Sequence, residues 1–205
     1  MAKIKLPSYI KESSGRMEDE VFVNWKGVAY MRPYRKIKGT CTPKQAEVRK
    51  SFSSVRADWK YLSGIIAQTW ERSVKDKPMT AVNAFMSVNM KNRRMGEPLD
   101  ICLSAGEAPL MNFSAAAGSG SGEITCTFLP PETGRHITFF TRIVTDLDAR
   151  PVIMRHDAGE GTVSPFTITG LEPGAQYHVH AVVTDAVYDD AVTLSASVAA
   201  TASAG

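Results

Sequence analysis

The chain has 205 residues, 43% of them hydrophobic and 22% charged, which places it among folded soluble proteins and excludes a disordered chain. Its net charge of +3 conceals an asymmetry. Residues 1–97 carry 20 Lys and Arg against 9 Asp and Glu, or +11, whereas residues 98–205 carry 4 against 12, or −8. So abrupt a shift predicts two modules with different surfaces, the first able to meet nucleic acid, an anionic surface or an acidic neighbour.

Residues 1–20 are polar, contain Pro7 and Gly15, and show no periodicity, which predicts an extended arm. Met1–Pro7 has no apolar run of signal-peptide length, and no stretch approaches a transmembrane helix. The expectation is synthesis in the cytoplasm without membrane insertion, with retention there or release by lysis. Val21–Trp25 and Val28–Arg32 are β-rich runs joined at Lys26-Gly27, a hairpin signature that Pro33 ends. A basic loop, Tyr34-Arg35-Lys36-Ile37-Lys38, follows.

Thr42-Pro43-Lys44-Gln45 is a helix start: a Thr N-cap, Pro at the first helical position, and Gln placed to close a capping box. Val48, Phe52, Val55, Trp59, Leu62 and Ile66 then recur at alternating spacings of four and three, a seam of period 3.5. Packing on a second helix or on the hairpin is expected for it, with another subunit as the alternative. Ser63-Gly64 is a place for the helix to kink or split. Thr80 caps a second helix over residues 80–91, with Val82, Phe85, Met86, Asn89 and Met90 on one face. Arg93 and Arg94 suit its C-terminal dipole.

From Leu99 the period falls to two, with Leu99, Ile101 and Leu103 alternating with polar or small residues. The Gly/Ser-rich run 114–122 predicts a flexible connection. Six further strands are expected at 123–129, 136–145, 151–155, 162–169, 176–184 and 192–200, separated by Pro/Gly turn signals. The fold class is thus α+β: an arm (1–20), a basic hairpin and two-helix module (21–97), then a seven-strand β-sandwich (98–205).

Thr169-Gly170-Leu171-Glu172-Pro173-Gly174-Ala175-Gln176-Tyr177, followed by His178-Val179-His180-Ala181-Val182, resembles the tyrosine-corner stretch of fibronectin type III domains. The resemblance implies a Tyr hydroxyl that satisfies backbone groups at the corner and a core Leu. It is silent on function. The early Trp of that fold is replaced, with Phe128 standing near its place. The N-terminal half resembles an uncharacterised family of bacterial and phage-genome proteins through Trp25-Lys26-Gly27, Arg32-Pro33, Thr42-Pro43-Lys44-Gln45, Arg49, Phe52, Asn83-Ala84-Phe85 and Asn89. That resemblance implies a basic hairpin-helix unit ahead of a β-domain and no activity.

Chemistry-bearing patterns are sparse. His178 and His180 share a strand face, with Asp185, Asp189, Asp190 and His136 as conceivable further ligands of a metal; a solvated strand face is the expectation. Asp146 and Asp148 alternate without the oxygen spacing of a calcium loop. Gly118–Gly122 is neither a nucleophile elbow nor a phosphate loop. Cys41, Cys102 and Cys126 lack metal spacing and suit a reducing compartment, although a Cys102–Cys126 bridge is conceivable. No cofactor and no catalytic residue is expected. The expected contact residues are Trp25, Lys26, Arg32, Tyr34, Arg35, Lys36 and Lys38 after the hairpin, and Lys91, Arg93 and Arg94 after the second helix. They suit a non-enzymatic assembly protein of the virion or phage-tail kind that self-associates or meets other particle subunits. A nucleic-acid-binding module is the second expectation and an exported adhesin or carbohydrate binder the third.

Overall fold

The hairpin forms where the alternation and Gly27 place it, with Gly27 at φ +77°. In the computed structural model, which describes residues 2–3, 14–25, 27–35, 39–62, 64–144 and 153–205, it is the centre of a four-stranded antiparallel sheet. The strands are β1 (Ala2–Lys3), β2 (Gly15–Met17), β3 (Glu20–Trp25) and β4 (Val28–Pro33), in the order β1-β4-β3-β2. The described parts of the expected arm are therefore edge strands of this sheet: Gly15 pairs with Phe22 and Ala2 with Met31. No described residue of 14–40 is buried.

Three helices follow, not two: α1 (Pro43–Trp59), α2 (Gly64–Ser73) and α3 (Ala81–Met95). The Thr42–Gln45 capping box is complete in both directions, and Thr80 caps α3 by accepting from the Asn83 amide at 3.2 Å. Gly64 takes φ +59°, a left-handed conformation that an uninterrupted helix cannot contain, so the expected long helix is split there. Gly96 at φ +73° closes α3 by donating to the Arg93 and Asn92 carbonyls.

The C-terminal half is a three-on-four antiparallel sandwich. One sheet is β5 (Met111–Ala117), β6 (Ile124–Leu129) and β9 (Phe166–Ile168), in the order β5-β6-β9. The other contains β7 (His136–Ile143), β8 (Ile153–Glu160), β10 (Gln176–Thr184) and β11 (Val198–Ser203), in the order β11-β10-β7-β8. The Tyr177 hydroxyl accepts from the Glu172 amide at 3.0 Å, and Leu171 is buried, so the tyrosine corner is built as expected. Phe128 is buried in the same core, 5.9 Å from the Phe139 ring. Strand order and corner together make this a fibronectin type III-like sandwich.

Its first strand lies elsewhere than expected. Leu99–Leu103 forms no strand and instead runs as an extended segment whose Leu99, Ile101 and Cys102 are buried beneath the helices. The strand is β5, whose second half, Ser114–Ala117, falls in the run expected to be flexible. The connection from β5 to β6 is a tight turn: a Cβ on Gly118 would lie 2.4 Å from that of Glu123, and one on Gly122 would lie 2.4 Å from the Leu171 carbonyl oxygen. The glycines are there because backbone passes backbone.

The two sides of the four-stranded sheet face different cores. Ile137, Phe139, Tyr177, Val179, Ala181 and Val183 face β5, β6 and β9. Phe140 and Val182 face the helices, in one cluster with Val55, Ile66, Trp70, Phe85 and Ile101. The change of charge near residue 97 thus does not coincide with a break in packing. The α1 seam packs on α3 and on the sheet, not on the hairpin, and only over its second half. Val55, Leu62 and Ile66 are buried, whereas Val48 and Phe52 stay 46% and 49% exposed.

Candidate interaction surfaces

The residues expected to make contacts fall on two separate elements. Trp25, Arg32, Tyr34 and Arg35 are exposed on and just after the hairpin. The Arg16 guanidinium lies over the Tyr34 ring at 3.7 Å from its centroid, and Tyr34 donates its amide to the Asp19 carbonyl. This cation–π stack, across β3 from Arg32, joins two residues that no local pattern in the sequence links. Lys26, Lys36 and Lys38 lie outside the described residues, as do Asp146 and Asp148.

The second group sits at the C-terminal end of α3. Lys91 and Arg94 are exposed. With Val48, Met90 and Met95 they line a groove of about 400 Å³ between α3 and the first half of α1. A neighbouring hollow of about 240 Å³, lined by Lys44, Glu47, Val48, Ser51 and Arg94, continues it. Phe52, one turn along from Val48, extends the apolar strip. The floor is thus apolar and the rim basic, with Lys44, Lys91 and Arg94 against one acid, Glu47.

Arg93 belongs to a different environment. It is half-buried and turned toward the sheet, where burial and then the neighbouring Arg142 charge lower its pKa and Asp58 pulls it back. It helps to build the helix-sheet contact instead of a surface. At the centre of that contact the Arg142 Nε donates to Asp58 Oδ1 at 2.8 Å, and both side chains are out of water. Arg142 Nη2 also donates to the Ser54 hydroxyl at 3.4 Å. Burial raises the Asp58 pKa, and the hydrogen bond and charge of Arg142 oppose that rise.

His178 and His180 share the sheet face beside this pair, as their spacing predicts, but the face is covered by helices and not solvated. Both are buried. Burial, then the Arg142 charge, pushes His178 down to about 4; burial, then His178 itself, pushes His180 down to about 3. His178 Nδ1 bonds the Thr201 hydroxyl at 3.0 Å. Two of the four possible metal partners are engaged elsewhere. Asp185 accepts from the Val192 and Thr193 amides, and Asp189 forms a two-pronged pair with Arg155 at 2.8 and 3.1 Å. Among the described residues no three His, Cys, Asp or Glu side chains gather as a metal site would require.

The three cysteines are free. Cys102 lies in the core under the helices and Cys126 in the core between the sheets, so no bridge joins them. Burial pushes both thiols up to about 12, far from the thiolate that nucleophilic chemistry needs. A third hollow, about 470 Å³, lies at one end of the sandwich among Pro109, Met111, Leu129, Pro130 and Pro131, with the Glu107–Arg135 pair at 2.9 Å on its rim. It was not legible in the sequence because its walls come from two separate segments, 106–111 and 129–135, with Val183 of β10.

No protein-family model matches the chain, and no curated protein matches it. Solved structures similar to it include fibronectin type III domains, which overlap about half of the chain. The FN5 domain of Drosophila Lar is 17% identical, covers 48% of this chain and 98% of its own, and superposes with a TM-score of 0.34. The fn3 domain of human collagen alpha-1(XX) is 19% identical over 50% of this chain and 89% of its own, with a TM-score of 0.37. A Fn3-like protein from Clostridium thermocellum is 14% identical over 47% and 91%, with a TM-score of 0.33.

Proposed function

We propose that this chain is a non-enzymatic structural component of a larger assembly, of the virion or phage-tail kind, in which the N-terminal elements make the contacts and the sandwich projects or bridges. One observation carries the reading. Among the described residues the N-terminal sheet contributes none to either hydrophobic core, yet Met17 and Trp25 on it and Tyr34 just after it are exposed to solvent. Large apolar side chains gathered on an element with no core of its own are the mark of a surface completed by a partner. The exposed first half of the α1 seam repeats the pattern. The resemblance read in the N-terminal sequence to bacterial and phage-genome proteins, which no matching family model backs, implies no activity and serves only to suggest particles as the setting. The core positions of Cys102 and Cys126 and the burial of His178 and His180 favour a structural role over catalysis.

The test is the mass of the purified chain in solution across concentration, at low and high salt, with electron microscopy of the same samples. Oligomers, filaments or incorporation into particles are expected. A strict monomer that joins no particle at any concentration overturns the reading.

The stack of Arg16 on Tyr34, beside Arg32 and Arg35, favours a second reading, a surface for single-stranded nucleic acid. It predicts binding to DNA or RNA that weakens steeply with salt, by a log–log slope of about −0.7 per phosphate contact on a single strand. Binding indifferent to salt, or none, removes it.

A further inference from the structure

The groove between α1 and α3 has a counterpart on the same chain. The loop from β10 to β11, residues 185–192, is acidic and carries two exposed valines, Val187 and Val192, at 51% and 65%. It is held in shape from several directions. Asp185 Oδ1 accepts from the amides of Val192 and Thr193 at 3.0 and 3.1 Å. The Asp190 amide donates to the Val187 carbonyl at 2.8 Å, and the Thr184 hydroxyl donates to the Ala186 carbonyl at 2.7 Å. Tyr188 is buried among the helices, with its ring 5.6 Å from that of Phe140. Asp189 is fixed by Arg155. What remains outward on this rigid prong is Val187, Val192 and the exposed carboxylate of Asp190.

We infer that the loop 185–192 of one copy docks into the α1–α3 groove of a second copy, Val187 and Val192 meeting Val48, Phe52 and Met95 while Asp190 meets Arg94 and Lys91. Three arguments select a second copy as the occupant. First, the charges are complementary: three bases and one acid rim the groove, and three acids with one base, Arg155, make up the loop and its brace. Second, both surfaces are apolar at the centre and charged at the edge, the arrangement of a protein contact. Third, a chain cannot serve itself. The groove lies on the N-terminal half of α1, whereas Tyr188 packs beside Gly64, beyond its C-terminal end. At about 1.5 Å per residue, roughly 20 Å of helix separates them. The fixed loop loses little freedom on docking. The contact is head-to-tail, so repetition gives an open filament or a closed ring.

This inference rests on the assembly reading and names its surfaces, and the experiment separates the two. The full chain is compared with Arg94→Glu and Asp190→Lys by sedimentation, after circular dichroism has shown that both exposed variants remain folded. Each variant alone is expected to associate at least tenfold more weakly than the natural chain. Mixed, they pair opposite charges at both contacts, the natural Asp190 with Arg94 at one and the two substituted side chains at the other, and association is expected to recover. Val187→Asp is expected to weaken association alone as Asp190→Lys does, and, mixed with Arg94→Glu, to leave one intact contact and form heterodimers that do not grow. Association undiminished in the variants overturns this contact while leaving the assembly reading intact. So does a monomeric natural chain that still joins particles through other subunits, and so does a groove variant that loses only salt-sensitive nucleic-acid binding. Absence of heterodimers on mixing overturns the pairing of these two surfaces.

Discussion

The two faces of β7 and β10 are made by alternate residues of the same strands and are held by different physics. Toward β5, β6 and β9 the strands present Phe139, Tyr177, Val179, Ala181 and Val183, and the Phe139 ring stacks on Phe166 at 5.1 Å. That side needs only burial, which is non-directional. Toward the helices the same strands present Arg142, His178 and His180 among Phe140 and Val182. That side has no net gain from burying polar groups unless each finds its partner. The inner face therefore makes a sandwich, and the outer face determines what may cover it: an α1 that carries Asp58 and Ser54 at the right height.

The largest effects should come from breaking each face in turn. Phe139→Ala removes a large side chain from the inner core and should cost about 3–5 kcal/mol in chemical denaturation. Asp58→Ala should cost about as much although it deletes few atoms, because it leaves the Arg142 charge buried without its counterion. Replacing both partners by apolar residues, Asp58→Leu with Arg142→Met, should recover most of that loss or exceed the natural stability, since the pair's attraction barely offsets its desolvation. The double inner-face equivalent would recover nothing. An Asp58→Ala cost below about 1 kcal/mol would mean that the outer face is reached by water.

This difference also explains how much was legible beforehand. The hairpin, the caps at Thr42 and Thr80 and the tyrosine corner are local patterns, each readable within about ten residues. β5 was hidden because Ser114–Ala117 has small side chains of weak strand preference and its alternation is interrupted at Asn112, which sits at φ +52° beside a register shift. The helix-sheet contact was hidden because nothing in one chain links Asp58 to Arg142, 84 residues away. A polar strand face looks solvated until its cover is known. The contact groups show the same limit: Lys91 and Arg94 were legible as exposed base, Arg93 was not separable from them, and Val48 and Phe52 read as core because their seam continues into real core.

Acid should open the outer face first. His178 and His180 hold protons less tightly in the folded chain than at their ordinary 6.5, falling to about 4 and about 3. Between those values and 6.5 the unfolded chain binds the extra protons, so stability is full above about 6.5 and falls as pH drops through that window. For His178 the loss is on the order of 3 kcal/mol. Asp58 acts in the opposite sense. Its pKa is raised, so over the interval just above its ordinary 3.8 the folded chain holds that proton more tightly and gains stability as pH falls. Two histidines beside Arg142 and Arg93 outweigh one carboxyl, and a net loss from pH 6.5 to 4 is expected in urea melts. His178→Gln with His180→Gln should flatten that slope and leave the inner-face variant Phe139→Ala as pH-dependent as the natural chain.

A smaller effect tests whether the inner face also depends on a directed contact. Tyr177→Phe keeps the ring in the core and removes only the acceptor for the Glu172 amide. The expected cost is about 1–3 kcal/mol, the penalty for an amide left without its partner where water is partly excluded. A cost near zero would show that water replaces the hydroxyl at the corner.

The smallest effect on stability should come from a region that belongs to neither face. Trp25 is exposed on the hairpin, pairs across the strands with Val28, and touches neither core cluster. Trp25→Ala should leave the urea midpoint of the sandwich and helices within about 0.5 kcal/mol of the natural value, as surface changes away from packed contacts do. If the N-terminal sheet makes contacts in an assembly, the same substitution should weaken association measurably, because an exposed Trp is the side chain most able to anchor a partner. The two measurements are informative only together. Unchanged stability with weakened association marks the hairpin as a surface completed by a partner. Lowered stability would instead place Trp25 against the body of its own chain, and the exposed aromatic residues would then be part of one fold with three layers and a covering sheet.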